Sequence, residues 1–155
     1  LVKALLDEFP FERDEREWVH SDTVADFALP GRRDLLYLVL CTLTKNALQA
    51  LRGTPQPRLH IALGRDALGD GALKPWLRFT DNGSGIPSDV LDRRLKAPVT
   101  TRAHAGGNGM GLIFCQRVLQ SIGGAIAIKS ETGRGTTVNL NFQPFVETNL
   151  REARV

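Results

Sequence analysis

Cysteine is scarce in this 155-residue chain: there are only two, Cys41 and Cys115, far apart and without CxxC or Cys/His spacing. That excludes a disulfide framework and a cysteine metal cluster. Both fall in apolar, helix-like stretches and read as reduced core residues, which fits the cytoplasm. No apolar run approaches the roughly 20 residues needed to cross a bilayer, so a soluble piece with no direct membrane insertion is expected. No charged, apolar and small-residue signal pattern opens the chain. Position 1 is Leu rather than Met, and the chain reads as a fragment of something longer, whose parent is cytoplasmic or the cytoplasmic part of a membrane-anchored protein. Charge of one sign is not in excess: 20 Lys and Arg face 17 Asp and Glu, and aromatics are only 6%, so no basic stripe with interleaved aromatics forms. Nucleic acid is therefore not the expected partner.

What is present suits one compact domain, burying roughly two-thirds of the surface of its unfolded chain. Residues 1–10 read as the end of an upstream helix, with Leu1, Leu5 and Leu6 on one side and Pro10 as the stop. Short strands are expected around Trp18–His20 and Val24–Phe27. From Arg32 to Leu51, apolar residues at Leu35, Leu36, Val39, Leu43, Ala47 and Ala50 have helical spacing, ended by Gly53. Strands follow at Arg58–Leu63 and Trp76–Thr80, with GRDALGDGALKP between them as a loop. A helix from Leu112 to Ile122 stops at Gly123-Gly124, and Ala125–Ser130 pairs with Thr136–Phe142 as an antiparallel hairpin. The main unit spans residues 11–143, and the polar tail 144–155 reads as a frayed end or linker. This order predicts an α/β (α+β) two-layer sandwich, a mixed, mostly antiparallel sheet covered on one face by about three helices.

Four features carry chemistry. Asn46 lies along the apolar stripe of the long helix, and Thr42, one turn earlier, points the same way. A buried carboxamide needs a partner, either core backbone or a ligand, because an unpaired one costs about 1–3 kcal/mol. Asp81-Asn82-Gly83-Ser84-Gly85-Ile86 follows a strand, so its carboxylate stands on a rigid scaffold while the glycines let a flat ring approach; DNG is also ordinary Asx-turn chemistry. Gly106, Gly107, Gly109 and Gly111 run into a helix whose N-terminus can face an anion. This run is neither a Walker A loop nor GxGxxG. Last, GRGTTV reads equally as a tight hairpin.

In this order the four resemble the ATP-binding catalytic domain of sensor histidine kinases, within the superfamily shared with gyrase, Hsp90 and MutL. LTKNALQAL is similar to the N box, DNGSG to the first glycine box, APVTTR to part of the lid motif, GNGMGL to the second glycine box and GRGTTV to the third. The resemblance implies a flexible ATP lid across 99–111 and a protein-histidine kinase activity that passes the ATP γ-phosphate to a histidine. It implies ATP and Mg²⁺ as cofactors. Asp81 would accept from the adenine amino group, and Gly83, Gly85 and Ile86 would shape the base pocket. Asn46 would hold Mg²⁺. Thr101, Gly107, Asn108, Gly109, Gly111 and Leu112 would contact the nucleotide or its phosphates, Arg102 would pair with the terminal phosphate, Lys45 would be a phosphate or solvent contact, and Thr136 would stand near the adenine.

Two departures accompany the likeness. Thr42 stands where histidine kinases carry a further Asn and gyrase-like relatives a water-activating Glu, so hydrolysis should be poor; the lid has Lys96 and Val99 near the place of its usual phenylalanine. None of His20, His60 or His104 begins the acceptor-helix pattern. The implied partners are thus an upstream dimerisation and histidine phosphotransfer domain and a response regulator or receiver domain, and the isolated fragment should not autophosphorylate. The alternatives are a catalytically degenerate nucleotide-binding module, or another ATPase or serine kinase of the same superfamily.

Overall fold

A computed structural model describes residues 1–23, 28–29, 31–96, 109–146 and 153–154. Five strands make one sheet: β1 (Val19–Thr23), β3 (Leu59–Ala67), β4 (Leu73–Asp81), β6 (Gly135–Asn141) and β5 (Ala125–Glu131), in that spatial order. β1 and β3 run parallel; every other pair is antiparallel. The helices are α1 (Val2–Glu8), α2 (Glu15–Trp18), α3 (Arg33–Leu51), α4 (Ser88–Lys96) and α5 (Gly109–Ser121). α3 and α5 pack together and against the sheet, α4 against α5, and α1 against α3. The expected mixed, mostly antiparallel sheet with helical cover is present.

Strand alternation decides which side chains face the helices. Leu59, Ile61 and Leu63 of β3 and Leu77 and Phe79 of β4 are almost fully buried, while Lys74 and Arg78 are exposed. Across the sheet, Ile61, Phe79, Val138 and Ile128 form one inward row, and Leu63, Leu77, Leu140 and Ile126 the next. α3 answers with Leu36, Val39, Leu40, Leu43, Ala47, Leu48 and Leu51, α5 with Leu112, Cys115, Val118 and Leu119. Thr44 also lies inside this helix face, its hydroxyl donating to the Leu40 carbonyl at 2.8 Å.

Several expectations change. β3 and β4 extend through what read as loop: Gly64 pairs with Trp76 and Ala67 with Leu73, leaving a short turn closed by Leu68 N–H to Ala72 carbonyl at 2.8 Å. Gly64 is the seat of the Trp76 indole, whose ring would lie 2.7 Å from an added Cβ. α4 was not anticipated; its apolar positions Val90, Leu91 and Leu95 are few, and its first turn forms when Leu91 N–H bonds the Pro87 carbonyl at 2.9 Å. α5 begins at Gly109, not Leu112, so Gly109 and Gly111 belong to its first turn, with Gly111 buried. α1 buries Leu1, Val2 and Leu5 in the same core as α3. The tail does not simply fray: Phe145 bridges Leu73 in both directions, and β7 (Ala153–Arg154) pairs with β2 (Ala28–Leu29). The strand expected at Val24–Phe27 lies outside the described residues. Among the described residues no helix is long and apolar enough to cross a membrane.

Candidate functional site

The end of the inward-facing sheet surface turns polar. Two residues beyond Phe79, the same alternation brings Asp81 to the helical side, and the register aligns it with Thr136 and then Ser130. Thr136 is 7% exposed. Its hydroxyl meets that of Ser130 at 2.7 Å, and Ser130 Oγ lies 3.2 Å from the Gly135 carbonyl. Three short polar side chains thus share one row at the edge of an apolar floor.

The loop after β4 is fixed on both sides. Asp81 Oδ1 accepts the Gly83 N–H at 2.9 Å, the Asx turn that DNG suggests, while the carboxylate also lines a cavity. Asn82 is structural: its Oδ1 accepts from Arg58 N–H at 2.8 Å and its Nδ2 donates to the Gln56 carbonyl at 3.0 Å. Ser84 N–H reaches the Ala50 carbonyl of α3 at 3.2 Å, and Ile86 N–H donates to Ser130 Oγ at 2.7 Å. Gly85 sits at φ +76°, where a Cβ would run into the Glu131 carbonyl, so the loop can lie this close to the hairpin only without a side chain. Burial pushes the Asp81 carboxyl above its usual range, and the backbone N–H groups of Gly83 and Thr136 partly offset this.

Between α3, this loop, α4, the start of α5 and the sheet lies a cavity of about 240 Å³. Its floor is Phe79, Ile128 and Val138, its wall Leu43, Ala47 and Ala50, and its polar groups Asn46, Gln49, Asp81, Ser84, Thr136 and Arg94. Clefts that enclose a whole small ligand usually run to about 300–1,000 Å³, so this one has room for only part of a larger ligand. Asn46 is half-buried and has no hydrogen-bond partner among the described residues, unlike a core Asn bonded to backbone. Its carboxamide is available to a ligand. Asn46 and Gln49 offer amide oxygens and, among the described residues, no carboxylate cage lines the cavity, so a hard cation held here would keep water and phosphate in its shell. Among the described residues no cluster of three or more His, Cys, Asp or Glu could hold a metal alone.

Asn46, Asp81, Gly85, Ile86, Leu112 and Thr136 therefore line one cavity. Gly83 does not line it but holds Asp81 in place, and Gly109 and Gly111 start the helix that brings Leu112 to it. Lys45 is exposed and borders a different groove, with Phe9, Glu12 and Arg52. Thr42 borders the Lys45 groove and not the cavity that Asn46 lines, and its hydroxyl donates to the Leu38 carbonyl at 2.8 Å. Thr101, Arg102, Gly107 and Asn108, with His104 and the rest of the lid before Gly109, lie outside the described residues. Sequence reading missed Ser130, Gln49 and Arg94. Ser130 is visible only through cross-strand register, Gln49 stands one turn after Asn46, and Arg94 depended on seeing α4.

A family profile, described as histidine kinase-, DNA gyrase B- and HSP90-like ATPase, matches residues 31–146. The chain is 35% identical over 109 residues to sporulation kinase D of Bacillus subtilis, covering 70% of this chain and 20% of that protein. It is 39% identical over 70 residues to the signal transduction histidine-protein kinase ArlS of Staphylococcus aureus, covering 43% of this chain and 16% of that protein. The chain thus spans a fifth or less of the length of these curated relatives. Among solved structures, the catalytic domain of histidine kinase ThkA superposes with a TM-score of 0.68 at 19% identity, covering 91% of each chain. The mycobacterial sensor histidine kinase MprB gives 0.61 at 20% identity, covering 92% of this chain and 94% of that one. The fold is the same in both. An ATPase family implies ATP binding, and the chain belongs to the histidine kinase-, DNA gyrase B- and HSP90-like ATPases.

Proposed function

We propose that this domain holds ATP and Mg²⁺ in the cavity and is the catalytic domain of a sensor histidine kinase, transferring the γ-phosphoryl group to a histidine on a dimerisation domain elsewhere in a longer protein. The observation that carries the reading is the convergence of Asp81, Asn46 and Thr136 on one cavity with an apolar floor. Asp81 accepts the exocyclic amine of adenine, and the flat ring lies over Ile128 and Val138 against Ile86. Asn46 offers its amide oxygen to Mg²⁺, which when bound neutralises phosphate charge. Leu112 and the first turn of α5 stand on the phosphate side, where Thr101, Arg102, Gly107, Asn108, Gly109 and Gly111 are assigned the contacts of a closing lid. Lys45, facing its separate groove, is left a solvent role.

In the transfer itself, the bond from the γ-phosphorus to the β–γ bridging oxygen breaks as a bond to an imidazole nitrogen forms, and ADP leaves. Positioning and electrostatic stabilisation supply most of the acceleration. A neutral imidazole needs little help from a base, which suits a cavity in which Asp81, the only carboxylate among the described lining residues, is engaged by Gly83. A second reading, a nucleotide-binding module without catalysis, is favoured by Thr42, which stands where the family carries a further polar ligand and borders the Lys45 groove instead of the cavity. The proposed setting is cytoplasmic, with a response regulator or receiver domain as the next acceptor; the free thiols Cys41 and Cys115 support it.

Purified domain, its cognate dimerisation helix bundle and γ-labelled ATP provide the test. Magnesium-dependent labelling of a histidine on the bundle, lost in Asn46→Ala, is the expected result. Tight nucleotide binding with no labelling selects the non-catalytic module. Labelling of a serine, or steady phosphate release without transfer, moves the chain to another branch of the superfamily.

A further inference from the structure

α4 gives two adjacent arginines different surroundings. Arg93 reaches back one turn to Asp89, 3.9 Å from Nη2 to Oδ2, on the exposed side. Arg94 lies about 100° further round the helix, on the side it shares with Val90 four residues earlier, and both line the cavity. Arg94 is half-buried and has neither an ion pair nor a hydrogen bond among the described residues. Asp81, the only carboxylate among the described lining residues, does not pair with it. Lys45, on α3, borders another groove.

A guanidinium partly withdrawn from water without an anion is unfavourable, and a ligand that brings the anion removes the cost. Five N–H donors in a rigid fork and no acceptor suit phosphate oxygens, which take them two at a time. The cavity admits a ring and leaves the phosphates outside it, where a long side chain on the rim can reach them. We propose that Arg94 binds the phosphate groups of the nucleotide and thereby makes the site discriminate nucleoside di- and triphosphates from the bare nucleoside. The inference rests on the nucleotide reading of the preceding section.

Calorimetry of the whole chain with ATP, ADP and adenosine, each with Mg²⁺, on wild type, Arg94→Ala, Arg94→Gln and Arg94→Lys is the experiment. Arg94→Ala and Arg94→Gln should weaken ADP and ATP at least tenfold and adenosine less than twofold, with Arg94→Lys between them and wild type. Raising the salt concentration should cost wild type more ADP affinity than it costs Arg94→Ala. An equal loss for adenosine and ADP would make Arg94 a wall of the base pocket, by stacking or packing, and overturn the proposal, as would unchanged affinity for all three. Wild type that binds none of the three sinks the nucleotide reading itself, a distinct outcome. Unchanged melting temperatures of the variants establish that they fold.

Discussion

Replacing Asp81 by Asn changes one atom's hydrogen-bonding role while keeping the shape of the side chain. The Gly83 N–H bond at 2.9 Å survives, because an amide oxygen accepts it as well as a carboxylate does. What is lost is a charged acceptor for the 6-amino group of adenine. Hydrogen bonds to charged groups contribute about 1.5–3 kcal/mol, so ADP should bind roughly 10- to 150-fold more weakly. Inosine diphosphate, which has a 6-oxo group, gains nothing from Asp81 in wild type. Its affinity should change little, and the ADP-to-IDP ratio should collapse in the variant. Stability should move the other way. Burial raises the Asp81 carboxyl above its ordinary value of 3.8, so its favourable contribution is full below that value and is lost as pH rises through the raised one. At pH 7 the ionised carboxyl burdens the fold, and ligand-free Asp81→Asn should melt at or above wild type, the difference narrowing on acidification. Calorimetry and thermal melts at two pH values measure both. An unchanged ADP-to-IDP ratio, or a variant much less stable at pH 7, would refute the reasoning.

Gly85→Ala forces a side chain into the left-handed region and against the Glu131 backbone, so chemical denaturation should show a loss of at least about 2 kcal/mol; a loss under about 0.5 kcal/mol contradicts the docking of this loop on the hairpin. Ser130→Ala leaves the Ile86 N–H and the Thr136 hydroxyl without their shared partner and should cost about 1–2 kcal/mol by the same measurement, with no cost if the hydroxyl is idle. The Cys115 thiol, pushed up to about 12 by burial, should resist a thiol reagent at pH 8 while Cys41, which is part-exposed, reacts first; equal rates in the folded protein contradict the burial. Because its pKa is raised, the stabilisation Cys115 gives is complete below its ordinary value of 9.0 and is lost as pH rises towards about 12, so it contributes no pH dependence near neutrality.

The fold was legible where periodicity was long. α3 announced itself over nineteen residues, although its buried face includes Leu40, Thr44 and Leu48, which the chosen stripe passed over. α4 escaped because nine residues with arginine and aspartate on most faces carry little apolar signal; α5 packing on it supplies what its sequence does not. Glycine misled twice. Gly64 read as loop but lies in β3 under an indole, and Gly109 and Gly111 read as loop but begin α5. For the site, Asp81 could be placed by strand alternation and Asn46 by helical spacing, since each depends on its own element. Thr42 shares only part of Asn46's face, because residues four apart sit about 40° apart round a helix, and it borders the Lys45 groove instead. Ser130 and Arg94 depend on register and on a helix contact between segments distant in sequence.

The central claim is that one cavity receives a purine nucleotide through Asp81, Asn46 and Thr136. Backbone and side-chain amide NMR during titration with ADP and Mg²⁺ tests it most directly. The account predicts saturable shifts at Gly83, Ser84, Gly85, Ile86, Leu112 and Thr136 and at the Asn46 side-chain amide, with the outer-face residues Lys74 and Arg78 unmoved. Shifts confined to the Lys45 groove, or none at millimolar ADP, would contradict it.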